Sequence, residues 1–278
     1  MDSASRSDSR RGGGGATGGR DYENILFEHQ GPIARITLNR PNAANGIDQA
    51  LADELVRAAE YCSEDPAVKV VVLTGAGRFF SAGGDVRAMA EADNAGRFIE
   101  KLAETLHHAV SALARMDALL IVGVNGTAAG AGFSLAVAGD LVVAAESAKF
   151  TMAYTKIGLS PDGGASYYLP RLIGLRKAQD LMLTNRTLTA PEALDWGLLH
   201  RVVPDAQLTE AVEAFAQEFA TGPKGSNANV KKLLLVSGQH TLEEQLNTEA
   251  GFITHCAESA DGQEGIAAFT GKRAPKFA

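Results

Sequence analysis

Two turns built from glycine, alanine and other small residues flank a strand between Leu119 and Gly164, and few folds accommodate such a pair. The first reads Val124-Asn125-Gly126-Thr127-Ala128-Ala129-Gly130-Ala131-Gly132-Phe133-Ser134-Leu135-Ala136. An apolar strand, Leu119 to Val124, enters it, and a helix of small residues leaves it. After Gly139-Asp140-Leu141-Val142-Val143-Ala144-Ala145 comes the second turn, Ile157-Gly158-Leu159-Ser160-Pro161-Asp162-Gly163-Gly164. The first turn of a helix carries backbone N–H groups without intrahelical acceptors. Small side chains let a ligand approach them closely. The second turn supplies one carboxylate, Asp162. Oxyanion donors from one turn and an acid from the other are a minimal kit for enolate chemistry.

Other readings of the glycine turn are weaker. A dinucleotide fingerprint needs a third glycine where Leu135 stands, and a phosphate loop needs Gly-Lys-Ser/Thr, which is absent. Gly132-Phe133-Ser134-Leu135-Ala136 is similar to a hydrolase nucleophile elbow, but that elbow sits directly on a strand end. Here the strand is expected to stop several residues earlier. The glycines also suit plain tight helix packing, and spacing alone leaves that open.

The chain has 278 residues, 45% of them hydrophobic and 21% charged, which describes an ordinary globular protein with room for a large core. A net charge of −7 argues against a nucleic-acid partner. No apolar run reaches the roughly 18 residues of a membrane span. Cys62 and Cys256 fit free thiols in a reducing, cytoplasmic setting. The histidines lack metal-ligand spacing with Cys, Asp or Glu, so no metal site is expected. Residues 1–20, rich in Ser, Arg and Gly, read as a disordered tail rather than a leader.

Two short strands are expected around Gly31-Pro32, then a helix carrying Ile47, Leu51, Leu55, Ala58 and Cys62, started near Asp48. Val68 to Leu73 reads as a strand buried on both faces. Strand, helix, strand implies a parallel β/α repeat. Gly75 to Arg87 reads as a loop in which Gly83 and Gly84 offer N–H groups and Arg87 a phosphate contact, or as a plain helix start capped by Asp85. Ala95 to Arg115 reads as a helix carrying His107-His108, of which at most one faces the core. From residue 205 onward the pattern is helical. The chain is therefore expected to divide into residues 21–204, a β/α core for binding and catalysis, and 205–278, a helical region that packs on a neighbouring subunit.

In order along the chain, Phe80-Ser81-Ala82-Gly83-Gly84-Asp85, Val124-Asn125-Gly126, Gly139-Asp140, Ala148-Lys149-Phe150, Pro161-Asp162-Gly163-Gly164 and Glu264-Gly265-Ile266-Ala267-Ala268-Phe269 resemble the crotonase (enoyl-CoA hydratase/isomerase) superfamily. The likeness covers about residues 22 to 277. It implies an α/β fold, a spiral of ββα units with a C-terminal helical trimerisation region. It further implies a homotrimer or dimer of trimers acting on acyl-coenzyme A thioesters, with coenzyme A entering only as part of the substrate and no separate cofactor. The family's oxyanion hole matches the N–H groups of Gly84 and Ala131, each such donor contributing ~3 kcal/mol. Substrate contacts would fall on Ala82, Asp85, Arg87, Phe133 and Ser134. Phe133, Met152, Tyr167 and Tyr168 would be apolar walls.

The departures narrow the chemistry. The two glutamates of enoyl-CoA hydratases match Ser134 and Tyr154 here, so an ordinary hydratase is not expected. Asp162 matches the single acid of two branches. Phe150 to Gly164 and the end Lys272-Arg273-Ala274-Pro275 resemble the enoyl-CoA and ring-epoxide isomerases of phenylacetate breakdown. Leu181-Met182-Leu183-Thr184-Asn185-Arg186-Thr187-Leu188 and Asp195-Trp196-Gly197-Leu198 resemble 4-chlorobenzoyl-CoA dehalogenase, whose nucleophile matches Asp162, whose histidine matches His107 and whose aspartate-bonding tryptophan matches Tyr154. The leading expectation is an isomerase in which Asp162 removes and returns a proton while Tyr154 orients it. The alternatives are an aryl-CoA dehalogenase or hydrolase using Asp162 and His107, and a non-catalytic acyl-CoA-binding protein in which Asp162 merely caps the next helix.

Overall fold

The computed structural model describes residues 22–278. The expected tail, 1–20, lies outside the described residues. In chain order the elements are β1 (Ile25–Gln30), β2 (Ile33–Leu38), α1 (Gln49–Glu64), β3 (Val70–Gly75), β4 (Phe79–Ser81), α2 (Val86–Glu91), α3 (Ala95–Arg115), β5 (Leu119–Val124), β6 (Thr127–Ala129), α4 (Ala131–Val137), β7 (Leu141–Ala145) and β8 (Lys149–Thr151). There follow α5 (Ala165–Thr184), β9 (Leu188–Thr189), α6 (Ala190–Asp195), β10 (Arg201–Val203), α7 (Leu208–Ala220), α8 (Lys224–Ser237), α9 (Leu242–Glu258) and α10 (Ala260–Thr270).

The strands form two sheets. One runs β1-β2-β3-β5-β7-β10 and the other β4-β6-β8-β9. Among the described strands only β1 with β2 and β8 with β9 pair antiparallel. Along the chain β3 is followed by β4, β5 by β6 and β7 by β8, so each turn of the spiral lays one strand in each sheet before a helix or loop returns the chain. The second sheet is where the sequence reading fell short. Phe79–Ser81 was expected within a loop, and Thr127–Ala129 within a turn. Strands of three residues carry too little alternation to announce themselves.

The longer elements follow their sequence signals. Asp48 caps α1, accepting the Leu51 N–H at 2.9 Å, and α1 buries Leu51, Leu55, Ala58, Ala59 and Cys62. In β3 the alternation sends Val71 and Leu73 to the inner core and Val70 and Val72 to the outer one, as a strand covered on both faces requires. The helix after Asp162 is broken, because Gly174 leaves helical geometry at φ 77° inside α5.

The expected boundary at residue 205 does not coincide with the packing. Helix α7 lays Leu208, Val212, Ala216 and Ala220 on the outer face of the large sheet, against Val70, Val72, Ile121 and Val143. Full burial of side chains such as Leu208 and Val212 stabilises by about 2 kcal/mol each, so α7 belongs to the core. The helices after it are different: Leu234, Ile253 and Phe269 are 71%, 71% and 86% exposed. No described helix is long and apolar enough to cross a membrane.

Candidate active site

Two loops meet under the small sheet. The first follows β4 and is tied from below by Asn45, which is fully buried. Its amide nitrogen donates to the carbonyls of Ala76 (2.9 Å), Phe79 (2.8 Å) and Phe80 (3.1 Å), and its Oδ1 accepts the Arg40 N–H at 2.9 Å. Ser81 Oγ donates to the Asn45 carbonyl at 2.8 Å. Gly84 forms a parallel bridge with Ile47, in which Ile47 N–H donates to Gly83 O (2.7 Å) and Asp85 N–H to Ile47 O (2.9 Å). That pattern leaves Gly84's own N–H outside the ladder.

The second loop joins β6 to α4. Ala131 is the first residue of α4, so its N–H has no intrahelical acceptor. Two glycines let the loops touch backbone to backbone. A Cβ on Gly132 would stand 2.4 Å from Ser81 O, and one on Gly83 (φ +91°) would stand 2.7 Å from Ala129 O and 3.1 Å from Ala131 N. Any side chain there would push the Gly84 and Ala131 amides apart.

Beside them opens a cavity of about 400 Å³, lined by Ala82, Gly84, Gly130 and Ala131, by Val86, Met89, Ile99, Leu102 and Leu106 from α2 and α3, and by Tyr154, Ile157, Leu159 and Asp162. Among its lining residues the one carboxylate is Asp162. The Tyr154 hydroxyl donates to Asp162 Oδ1 at 2.6 Å and also meets Ser134 Oγ at 3.1 Å. Burial, reinforced by the Asp162 charge, holds the tyrosine far above its ordinary pKa, so it stays a donor. On the other side His107 Nε2 lies 3.5 Å from Asp162 Oδ2 and accepts the Gly163 N–H at 3.1 Å.

Several residues singled out from the sequence are placed elsewhere. Phe133 and Met152, expected as walls, are fully buried, and Phe133 packs on Phe150 with ring centroids 5.4 Å apart. All seven residues of α4 are buried, so Ser134 reaches the site only through Tyr154. Asp85 is a helix cap, accepting the N–H groups of Arg87 and Ala88 and pairing with Arg40 at 3.2 Å. Arg87 is exposed and off the cavity. Tyr167 and Tyr168 line a different cavity. Asp162 does not cap α5, whose cap position is Gly164 without a side-chain bond. Met89, Ile99, Leu102 and Leu106 were not anticipated; the apolar face of α3 was legible, but nothing in its periodicity separates a core face from a cavity wall.

The family model described as enoyl-CoA hydratase/isomerase matches residues 28–278. The chain belongs to the enoyl-CoA hydratase/isomerase family. It is 36% identical over 260 residues to the 1,2-epoxyphenylacetyl-CoA isomerase of Escherichia coli K12, covering 92% of this chain and 98% of that one. It is 33% identical over 264 residues to the carnitinyl-CoA dehydratase of Salmonella typhi, covering 91% and 97%. The crystal structure of an enoyl-CoA hydratase from Polaromonas sp. JS666 superposes with a TM-score of 0.87 at 32% identity, over 91% of this chain and 99% of that chain. The resemblance drawn from motifs thus holds at the level of the crotonase fold and of an enzyme family. Relatives with different named reactions share that fold, so the reaction of this family member has to be argued from its own side chains.

Proposed function

We propose that the protein is an isomerase of enoyl-CoA or ring-epoxide acyl-CoA thioesters with Asp162 as its single acid/base. The observation that carries this reading is one carboxylate on an otherwise largely aliphatic cavity, beside two backbone N–H groups, of Gly84 and Ala131, that have no ladder or intrahelical acceptor. The thioester carbonyl binds the N–H groups of Gly84 and Ala131, and the negative charge that develops on its oxygen is stabilised there. Asp162 takes the proton from the α carbon and returns it at another carbon, while Tyr154 fixes the carboxylate. The aliphatic wall from α2 and α3 keeps water off the enolate once the acyl group fills the cavity. Hydration would call for a second carboxylate to activate water, and the cavity lining offers none besides Asp162; the resemblance matches Ser134 and Tyr154 to the two glutamates of hydratases. The reading needs no group beyond the substrate's own coenzyme A. It takes support from the E. coli relative named as a 1,2-epoxyphenylacetyl-CoA isomerase. The exposed Leu234, Ile253 and Phe269 on α8–α10 support packing of copies into a trimer or a dimer of trimers.

Asp162→Asn, with CoA-ester affinity and double-bond migration measured together, tests the reading. Binding persists and migration stops; continued migration would refute it. A second reading has one observation in its favour, the 3.5 Å approach of His107 to Asp162. There Asp162 attacks an aryl-CoA and His107 activates water on the resulting ester. Isotope from labelled water incorporated into Asp162 in a single turnover would support it. A purely acyl-CoA-binding role draws no support from Asp162, which does not cap α5.

A further inference from the structure

We propose that His107 is the port through which Asp162 exchanges its proton with solvent, by way of a second cavity on the far side of the acid. This rests on the reading of Asp162 as proton carrier. A second hollow of about 500 Å³ shares Asp162 with the first cavity but is otherwise lined by different residues, His107, Ser111, Ser166 and Gln239 among them. The acid therefore stands between two chambers. Tyr154, which holds Oδ1, lines the first; His107, which faces Oδ2, lines the second.

The two sides differ in where a proton can go. On the Oδ1 side the chain runs from Tyr154 to Ser134, which is fully buried, and from Ser134 Oγ to the Gly130 carbonyl at 3.3 Å. A carbonyl accepts but cannot pass a proton on, so that path is closed. On the Oδ2 side the His107 side chain is 49% exposed and its cavity carries hydroxyl and amide groups that can hold water. With substrate filling the first chamber, the His107 side is the open one.

The local geometry describes the step. Nε2 accepts the Gly163 N–H, so the neutral ring carries its proton on Nδ1. Two acceptors, Nε2 and an ionised Oδ2, gain nothing by closing from 3.5 Å. Once Asp162 has taken the substrate proton the pair has a donor, and as the Gly163 N–H gives up the Nε2 lone pair the gap can close to an Asp162 O–H to Nε2 hydrogen bond. The Asp162 O–H bond then breaks as an Nε2–H bond forms, and the Nδ1 proton leaves to water in the second cavity. Asp162 is again a carboxylate and the ring is neutral as its Nε2–H tautomer, which only the return of a proton through Nδ1 resets. The reverse sequence brings a solvent proton in. His107 touches no substrate in this scheme; it sets how often the proton that was removed is the one returned.

The test is the fate of label in 3-hexenoyl-CoA deuterated at C2, turned over in ordinary water by the full-length chain. In the wild type most of the deuterium is lost to solvent. In His107→Gln, which keeps an acceptor for Gly163 but cannot relay, the ratio of deuterium delivered to C4 over deuterium lost rises by about tenfold or more, whatever the change in overall turnover. Ser111→Phe, one helical turn along α3 on the same face, narrows the second cavity beside the ring and shifts the ratio the same way. An unchanged ratio in both variants overturns the port. Deuterium wash-in at C2 of butanoyl-CoA in deuterated water gives a second readout that needs no migration, and it slows in both variants. Asp162→Asn separates the two ideas. If it still exchanges and migrates, the reading of Asp162 falls and the port with it. If it is silent while the His107 and Ser111 variants partition like wild type, the port alone falls.

Discussion

Asp140 follows the helix that leaves the first glycine turn and Asp162 lies within the second, each next to a glycine in sequence, yet the structure treats their charges in opposite ways. Asp140 Oδ2 accepts the Leu120 N–H at 2.7 Å and lies 2.8 Å from Lys231 Nζ. The buried Lys231 also donates to the carbonyls of Leu113 (2.8 Å) and Ala118 (3.0 Å). Burial lowers the lysine's pKa, and the Asp140 carboxylate counteracts that. The pair is closed on itself and knits α8 to the loop before β5. Asp162 has one oxygen held by Tyr154 and the other 3.5 Å from His107 Nε2, which accepts the Gly163 N–H. A carboxylate with its partners filled is structural; one left with unused acceptor capacity over a cavity is available for chemistry.

Substitutions test that contrast. The largest effect belongs to Asp162→Asn, which lowers kcat by about 10³-fold while leaving the urea midpoint where it was or slightly higher. Asp140→Asn reverses the pattern: it strands the Lys231 ammonium, costs about 3 kcal/mol in denaturant unfolding, and leaves turnover per folded molecule unchanged. Equal stability losses in the two variants would erase the distinction. Tyr154→Phe is smaller, about tenfold in kcat with little change in affinity for the thioester, because it removes one orienting hydrogen bond but not the acid. Steady-state kinetics resolves the two parameters.

The smallest effect is on the pH profile of stability, and it lies on the structural side. His200 Nδ1 accepts the Val142 N–H at 3.0 Å, and burial lowers its pKa from the ordinary 6.5, with Asp140 pulling weakly the other way. The unfolded histidine then takes up a proton that the folded one resists. Stability from this group is present above pH 6.5 and is lost as the pH falls through the lowered folded value. Unfolding midpoints between pH 7.5 and 5.5 should fall less steeply in His200→Gln than in wild type; parallel slopes would contradict the assignment.

How much of this was legible in the sequence depended on element length and on which contacts were local. Helix α3 was expected from Ala95 to Arg115 and is found there, because its apolar residues repeat over nearly six turns. Val68 to Leu73 announced a doubly covered strand for the same reason of pattern. The three-residue strands β4 and β6 did not, though they carry the loops that hold Gly84 and Ala131. Phe133 was misplaced because α4 is apolar or small all round, so nothing in Ala131–Val137 separates a ligand face from a packing face. Helix α7 was assigned to the outer region because its partner, the outer face of the large sheet, lies more than sixty residues away in sequence for every strand except β10. The second cavity behind Asp162 could not be read at all. It exists only where α3, α5 and α8 come together.

The most direct test of the central claim is proton NMR of a 3-enoyl-CoA in deuterated water, with wild type and Asp162→Asn side by side and binding of the thioester verified for both. Migration of the double bond with deuterium uptake in the wild type alone is the predicted result. Migration at the wild-type rate in Asp162→Asn would contradict it, and the search for the working base would have to begin again from the walls of the cavity.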